Sequence, residues 1–293
     1  MKITNRRYNI LVDFTKVYDF LEETYNLETI NSYLPPHYFE YAQHHSHFNY
    51  TSTHRIGLWE DGDILVGISM YEMQLGTAQL HAREGYQHLL PEMLAWAEKE
   101  ISVEKDGKRT LSVQITSSEE GKKQLLLDNG YEFASKWPIT IFRYTNPFVE
   151  RELPQGFKII NGHEVDMLKL KTCFYRGFDH GDTPPDNETD TTFKVCHAPH
   201  ADPSLMTVVV APDGDYACAL GMWMDYPNKY AYLEPLATIP KYRRMGLGTI
   251  ALTEAMKKTV PLGAEYCFGG GNQFYFDIGF EEVCDWETWR KAW

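Results

Sequence analysis

Short apolar runs separated by turn residues fill the stretch from residue 204 to residue 240. The sequence SLMTVVVAPDGDYACALGMWMDYPNKYAYLEPLATIP contains three such runs, joined by the turns DGD and YPNK. Apolar runs of this length between turn signals are typical of strands, and DG between apolar segments is a strong hairpin signal. The pattern predicts three consecutive strands, the last over residues 231–239.

The same order of patterns occurs in both halves of the chain. Each half has an early helical pattern, at residues 16–25 and 163–174, ahead of strands that flank a DG turn. A second helical pattern follows, then a short strand, a short helix and a final strand region. The predicted ranges of the second helix, short strand and short helix are 86–101, 110–115 and 120–129 in the first half, and 246–259, 264–268 and 272–278 in the second.

Two short sequence similarities favour an internal duplication. LLLDNGYEFASKW at residues 125–137 and FYFDIGFEEVCDW at residues 274–286 share an Asp, a Gly, an aromatic residue, a Glu and a Trp at matching positions. The turns at residues 61–63 and 213–215, both DGD, repeat at nearly the same offset of about half the chain. Matches in the same order at a common offset indicate a repeat.

The segment TNPFVERELPQG, residues 145–156, is the predicted boundary, since it carries two prolines and mixed charge. We therefore expect two domains, residues 1–149 and 150–293. Strands and helices mixed in this order predict an α/β (α+β) class with a mixed sheet, twice over.

Composition limits the classes of partner. The 293 residues are 43% hydrophobic and 24% charged, which is globular composition. A formal net charge of -13 argues against nucleic acid or an anionic membrane surface as the main partner and is compatible with a cationic substrate. The sequence contains no apolar run of membrane-spanning length and no signal-peptide pattern at its start. Five cysteines without CxxC spacing predict reduced thiols and a cytoplasmic location.

One segment of this acidic chain concentrates cations and glycines ahead of a helix. PKYRRMGLG places Arg243, Arg244, Gly246 and Gly248 at the start of the helix predicted for residues 246–259. The first amides of a helix have no intrahelical partner and carry the positive end of its dipole, while glycines permit close backbone approach. The pattern predicts a phosphate site. Its R-x-x-G-x-G spacing matches neither the Walker motif nor the dinucleotide fingerprint.

Strand-Pro-x-Tyr-Arg-Arg-x-Gly-x-Gly-helix resembles the acetyl-CoA motif of the GNAT acetyltransferase superfamily. Downstream, Tyr275, Gly279 and Phe280 resemble that family's closing element Y-x-x-x-G-F, which follows the strand after the cofactor helix. The two elements in this order are more specific than either alone. The resemblance covers residues from about 150 to 293 and implies tandem GNAT-like domains, acetyl-CoA as cosubstrate and no metal.

The resemblance also implies how the cosubstrate would be held. Two strands would splay apart, and backbone groups of Leu236, Ala237 and Thr238 would run along the pantetheine arm like an added strand. Asn272 is a candidate for contact with that arm, although it lies only three residues before Tyr275, closer than is common in the family. The pyrophosphate would be held by the amides of Arg243, Arg244, Met245, Gly246, Leu247, Gly248 and Thr249.

Two side chains are candidates for the chemistry. Tyr275 occupies the place where the family commonly has a general acid, and a phenol with a pKa near 10 suits protonation of a departing thiolate. Its alternative interpretation is an aromatic packed in a small helix. Glu234 is either a base for the ammonium or a carboxylate that only attracts a cationic substrate. A backbone N–H near Leu236 would polarise the thioester carbonyl.

The first half lacks the glycines of the anion motif. Aligning Tyr86 with Tyr242 puts Leu90 and Glu92 at the positions of the two glycines. Side chains there would obstruct a phosphate, and a carboxylate would repel it. We therefore predict a degenerate N-terminal domain that does not bind CoA productively and that supports the active domain or walls its acceptor site.

Three other segments carry ligand-type residues. CHAPHAD at residues 196–202 has no compact zinc spacing, and we interpret it as a loop. His44, His45 and His47 are interpreted as a polar loop. FDHGDTPPDNETD at residues 178–190 is either an acidic lid over an amine or a solvated loop.

The leading hypothesis is an acetyl-CoA-dependent N-acetyltransferase that transfers acetyl to a primary amine by direct attack. The alternatives are a non-catalytic CoA-binding or regulatory module and an acyltransferase that uses a longer acyl-CoA. The acceptor is a small-molecule amine or a peptide amine, and the sequence does not choose between them. The oligomeric state is not readable from the sequence either.

Overall fold

The computed structural model describes residues 2–185 and 189–293. The chain divides into two compact units. The first consists of Met1–Gln43, His47–Ile139 and Glu282–Trp293, and the second of His44–Ser46 and Thr140–Glu281. This division differs from the expected ranges 1–149 and 150–293, because residues 140–149 fall in the second unit and residues 282–293 in the first. Whether the two units are the products of a duplication stays a prediction.

The first unit surrounds one mixed sheet with helices. Its strands run in the order β1-β2-β3-β4-β6-β13, with β5 paired to β6, and all neighbours are antiparallel except the parallel pair β4 and β6. Its helices are α1 (Ile10–Glu23), α2 (Ile30–Tyr33), α3 (Pro36–His44), α4 (Leu90–Glu100) and α5 (Glu120–Asp128), and its strands are β1 (Ile3–Arg7), β2 (Gly57–Asp61), β3 (Ile64–Met70), β4 (Thr77–Ala82), β5 (Val103–Lys105), β6 (Lys108–Thr116), most of β7 (Glu132–Arg143) and β13 (Glu281–Ala292).

The short helix α2 is left-handed. All four of its residues have positive φ, from 45° at Ile30 to 63° at Ser32, which costs roughly 1–2 kcal/mol per residue. Buried hydrogen bonds hold it. The Asn31 side chain donates to the Leu21 carbonyl at 2.7 Å, and the Ser32 hydroxyl donates to the Leu80 carbonyl at 3.0 Å.

The second unit is also built on one sheet, in the order β7-β12-β11-β10-β9-β8. Strands β8 to β11 are antiparallel neighbours, β11 and β12 are parallel, and β12 pairs with the last four residues of β7. Its other elements are β8 (Lys158–Ile160), α6 (Met167–Gly177), α7 (Thr189–Cys196), β9 (Thr207–Val210), β10 (Tyr216–Asp225), β11 (Tyr230–Thr238), α8 (Leu247–Thr259), β12 (Tyr266–Gly269) and α9 (Gln273–Asp277).

An apolar core joins α8 and α6 to the central strands of this second unit. Ala219 and Leu220 of β10 and Ala251, Leu252 and Ala255 of α8 are fully buried in it. Every residue of β10 is buried, which matches the uninterrupted apolar run that predicted it.

The three-strand prediction for residues 204–240 is confirmed, with the DGD and YPNK turns between β9, β10 and β11. The helix predicted over 246–259 is α8, and the short helix predicted over 272–278 is α9. The early helix of the first half begins six residues before its predicted start, because the Asn9 side chain caps it by accepting from the Leu11 amide. Helices α2, α3 and α7 were not predicted.

Among the helices that the structure describes, none combines the length and the apolar character needed to cross a bilayer.

Candidate active site

The sheet of the second unit opens between β11 and β12. The two strands pair only from Tyr230 to Tyr232, opposite Tyr266 to Phe268. Beyond that point β11 stays with β10 as far as Thr238, while β12 stays with β7 as far as Gly269. One edge of residues 233–238 therefore has no strand partner among the described residues, and the predicted pantetheine strand, Leu236, Ala237 and Thr238, lies on that edge.

A β-bulge interrupts β11 just before this edge. The register shifts so that Leu220 and Met222 of β10 face Leu236 and Leu233, which leaves Gly221 opposite two residues. A β-carbon at Gly221 would lie 2.4 Å from the Glu234 carbonyl oxygen, so only glycine fits. Bulges re-aim side chains and are frequent beside active sites. The bulge therefore sets the direction of Glu234, the candidate base, which is half-buried.

The loop after β11 is fastened to the DGD turn between β9 and β10. The Tyr242 hydroxyl and the Lys241 ammonium both donate to Oδ2 of Asp213, each at 2.5 Å. Lys241 and then Tyr242 hold the pKa of the Asp213 carboxyl well below its usual range. Asp213 is a positioning residue that sequence reasoning missed, because the DGD motif was interpreted only as a turn.

The Arg243 side chain bonds to protein atoms. Its Nε donates to the Thr238 carbonyl at 3.1 Å, and its Nη2 donates to the Gly177 carbonyl at 2.9 Å and to Oδ1 of Asp179 at 2.8 Å. The sequence places Arg243 among the cations of the predicted phosphate site. In the structure its guanidinium ties the loop to β11 and to the end of α6.

Helix α8 begins at this loop without a side-chain cap. Its N-cap is Gly246, with φ 78° and ψ 6° in the left-handed region. The Gly246 carbonyl accepts from the Ile250 amide, while the amides of Leu247, Gly248 and Thr249 are the first three of the helix, which have no intrahelical acceptor. Arg244 precedes them, also with positive φ, and Met245 is exposed. This is the geometry of an anion cradle.

Helix α9 carries Tyr275, and Asn272 is the N-cap of this helix. The Asn272 side chain caps this helix by accepting from the Phe274 amide at 3.1 Å, so its oxygen has a structural role. The Tyr275 ring lies against Gly269 and Gly270, so closely that a β-carbon on Gly270 would be 2.5 Å from the ring. Tyr275 is 7% exposed, which agrees with a packed aromatic and leaves the role of its hydroxyl open.

The first unit repeats the frame of the site with different contents. The Tyr86 hydroxyl donates to Oδ2 of Asp61 at 2.9 Å, as Tyr242 does to Asp213. At the start of α4, however, the carboxylate of Glu92 accepts a hydrogen bond from Trp59 Nε1 at 3.0 Å. The first turn of α4, as the structure describes it, contains no glycine.

In the first unit, a lysine side chain contacts β4 where its pairing with β6 has ended. Strand β4 pairs with β6 only from Thr77 to Gln79. The Leu80 carbonyl just beyond accepts from Lys122 Nζ at 2.6 Å, and Lys122 pairs with Glu119 at 2.7 Å. A cavity of about 900 Å³ lies beside this pair, and its charged lining includes Glu23, Glu84, Glu119, Asp128, Arg83 and Lys122. More carboxylates than cations line it, unlike a site for a diphosphate.

The other segments with ligand-type residues lie in turns, loops and helix ends. Residues 196–202 begin at the end of α7 and continue as turns and loop, and among the described residues no cluster of His, Cys, Asp or Glu is arranged to hold a metal ion. His44 ends helix α3, and His45 and His47 lie in the turn that follows it. Residues 186–188 of the candidate lid lie outside the described residues.

A protein-family model, the acetyltransferase (GNAT) family, matches residues 166–268. That range includes α6, β9 to β11, all of β12 except Gly269, the bulge and the glycine-capped helix. This match over residues 166–268 confirms the resemblance seen in the motifs. No curated protein matches the chain at the significance required.

Several solved structures share the fold. A tandem GNAT protein from the clavulanic acid biosynthesis pathway has a TM-score of 0.63 at 11% identity, covering 99% of this chain and 98% of that one. A GNAT-family acetyltransferase from Colwellia psychrerythraea has a TM-score of 0.61 at 14% identity, covering 99% of both chains. A GCN5-related N-acetyltransferase from Sphaerobacter thermophilus has a TM-score of 0.59 at 13% identity, covering 81% of this chain and 80% of that one. At these identities the likeness concerns the fold, which is that of a tandem GNAT protein.

Proposed function

We propose that the second unit is an N-acetyltransferase that binds acetyl-CoA and transfers acetyl to a primary amine by direct attack. The observation that carries this proposal is the edge of β11 beyond Tyr232, which has no strand partner among the described residues, in a strand that continues through one loop to the glycine-capped start of α8. An extended ligand arm with a diphosphate at one end fits this combination of a free strand edge and a cradle of amides.

The chain's own groups would bind the cosubstrate in two places. Backbone groups of Leu236, Ala237 and Thr238 would pair with the pantetheine amides, since this edge has no neighbouring strand among the described residues. Amides from residue 244 to residue 249 would hold the diphosphate, with Arg244 as a nearby cation. The amide of Arg243, which the motif also pointed to, donates to the Pro240 carbonyl at 3.3 Å. Asn272 keeps its capping role, so we propose contact with the arm only through its exposed edge.

Acetyl-CoA, when bound, supplies an activated thioester. Pro235 has no amide hydrogen, so the nearest backbone donor beyond the bulge is the amide of Leu236, which would polarise the carbonyl. Glu234, at the bulge, would accept a proton from the amine or attract its charge. Tyr275 would donate a proton to the leaving thiolate.

The cysteines favour direct transfer over a cysteine-linked intermediate. All five are free and buried, and burial raises the pKa of Cys196, Cys218 and Cys284 to about 12. Burial also raises the pKa of Cys173 and Cys267. A thiol nucleophile must be deprotonated, and these thiols stay protonated at neutral pH. Free thiols also fit a reducing compartment, which supports our proposal of a cytoplasmic enzyme.

We propose that the first unit does not bind CoA productively. Glu92 at the first turn of α4, and the Lys122 contact with Leu80 in its strand gap, support this. We propose the amine of a small molecule or of a peptide as the acceptor.

Isothermal titration with acetyl-CoA, followed by thiol-release assays with a panel of amines, tests the proposal. We expect one binding site per chain and acetyl-dependent thiol release with at least one amine. Binding without release from any amine would instead favour a CoA-binding module. Tighter binding of longer acyl-CoA thioesters, with faster release, would favour a different acyltransferase.

A further inference from the structure

An arginine far from the glycine motif in sequence lies over the start of α8. A β-carbon built on Gly246 would have its three nearest atoms in Arg151, with Cδ at 3.0 Å, Nε at 3.7 Å and Nη1 at 3.8 Å. The guanidinium of Arg151 therefore lies beside the N-cap whose following amides have no helical acceptor. Arg151 is 95 positions before Gly246, so no local motif points to it.

The two residues before Arg151 bond to side chains of α8. The Thr253 hydroxyl donates to the Val149 carbonyl at 3.1 Å, and Lys257 pairs with Glu150 at 2.8 Å. These contacts use the middle and the last turn of α8, and Arg151 then reaches its first turn. The segment thus runs along the helix toward the cradle.

The same segment is fastened again after Arg151. Leu153 packs against the core of the second unit, and the Phe157 ring meets the Tyr242 ring edge-on, with centroids 5.7 Å apart. Tyr242 is the residue bonded to Asp213 just before the loop. Arg151 is therefore held between two anchors, both on elements that form the cradle.

The other cations at this loop are largely engaged. Lys241 pairs with Asp213 at 2.5 Å and Arg243 with Asp179 at 2.8 Å. For Arg151 and Arg244, by contrast, the described part of the chain provides no carboxylate within ion-pair distance. The neighbouring carboxylate of Glu150 pairs with Lys257 at 2.8 Å, while the Arg151 side chain lies beside Gly246.

We propose that Arg151 binds the diphosphate of the nucleotide cosubstrate at the start of α8, as the charged partner that the motif arginine Arg243 does not provide. This inference rests on the proposed function of the second unit. An arginine offers paired donors that match phosphate oxygens, and an unpaired, anchored arginine loses little freedom when it binds them. The segment before the family-matched domain thereby becomes part of its binding site.

Titration calorimetry with three ligands tests this: CoA, 3′-dephospho-CoA and inorganic pyrophosphate. Arg151→Ala is expected to raise the Kd for all three about tenfold, the size of a charge-assisted hydrogen bond at an exposed site. Arg151→Lys should recover part of the loss, because it keeps the charge without the paired donors. Arg143→Ala is the matched control, since its exposed guanidinium is already bound to Glu281 at 2.5 Å and its removal should leave all three Kd values unchanged.

The outcomes separate this inference from the proposed function. Unchanged binding by Arg151→Ala overturns the role of Arg151 and leaves the acetyltransferase proposal standing. A loss confined to CoA, absent with 3′-dephospho-CoA, assigns Arg151 to the ribose phosphate and overturns the diphosphate assignment. If the wild-type protein binds no CoA, the proposed function fails, and the pyrophosphate titration alone then tests the role of Arg151. Pyrophosphate binding that is weakened in Arg151→Ala supports an anion-binding role for Arg151. If pyrophosphate does not bind, that role is overturned.

Discussion

Tyr242 donates its hydroxyl to Oδ2 of Asp213 at 2.5 Å, and this bond joins the hairpin turn before β10 to the loop that starts α8. Tyr86 and Asp61 make the same bond at 2.9 Å in the first unit. A repeated contact between a DG turn and a tyrosine ahead of a helix is stronger support for duplication than repeated letters. The two bonds also provide a matched pair of tests, one in each unit.

Asp213→Ala should weaken CoA binding by about three- to tenfold, because it frees both Tyr242 and Lys241 at the base of the anion loop. Asp61→Ala removes the corresponding bond in the first unit and should leave the Kd for CoA within about twofold. Calorimetric titration of both variants gives the comparison. Equal losses in the two variants would mean that the effect is general destabilisation rather than loop positioning.

Gly246 is expected to be sensitive to charge as well as to shape. Asn and Asp are alike in size and both tolerate the left-handed region that Gly246 occupies. Gly246→Asn therefore measures strain and contact with Arg151, and Gly246→Asp adds only a negative charge. We expect the Asp variant to bind CoA at least about tenfold more weakly than the Asn variant, with similar melting temperatures. Equal affinities would show that no anion binds at this N-cap.

Tyr275→Phe separates packing from chemistry. The ring that lies against Gly269 and Gly270 is retained, so the melting temperature and the Kd for acetyl-CoA should hardly change. Loss of the phenolic proton should lower kcat by about a hundredfold if Tyr275 is the general acid. Steady-state kinetics with the best amine of the panel, alongside calorimetry, measures both. An unchanged kcat would leave Tyr275 as a packed aromatic only.

His81 should make the stability of the protein fall in mild acid. Burial first, and then Lys122 and Arg83, hold the pKa of His81 well below 6.5. Below pH 6.5 the unfolded chain therefore binds a proton that the folded chain does not, so the free energy of unfolding falls as the pH falls. The slope approaches about 1.4 kcal/mol per pH unit for one proton.

Denaturant unfolding between pH 7.5 and 5 measures this slope. His81→Gln keeps a polar partner for Thr24, which bonds His81 Nε2 at 2.7 Å, and should remove the contribution of His81 from the slope. His88 of the same unit is exposed, so His88→Gln is the control for replacing a histidine by glutamine at a site without burial. Identical slopes in wild type and His81→Gln would contradict the assignment.

Local patterns predicted the elements that position the site. The apolar run of β10 and the glycines before α8 are written in consecutive residues, so their local structure follows from backbone preferences and hydrophobic burial. Helix α2 could not be predicted this way. Ile30 and Tyr33 disfavour positive φ, and the turn is supported by side-chain hydrogen bonds to Leu21 and Leu80, which local pattern does not reveal.

The sequence did not predict the hydrogen-bond and ion-pair partners of the side chains at the site. The motif suggested that Arg243 would face an anion, yet its guanidinium bonds to carbonyls and to Asp179, whose position depends on where α6 ends. Asp213 and Arg151 come to the loop from other segments through tertiary packing. The spacing of residues in a motif predicts its backbone conformation, whereas tertiary packing determines which charged side chains lie close together there.

The last strand, β13, belongs to the first unit and pairs with β6 through seven consecutive residues, from Trp286 opposite Thr116 to Ala292 opposite Thr110. During synthesis the ribosome therefore delivers residues 140–281, all but three residues of the second unit, before the first unit has its final strand. The half of the chain that is made first is completed last, and until then the edge of β6 stays open to wrong pairing. Nascent chains arrested after Glu281 should accordingly protect the second unit from protease while the first remains susceptible.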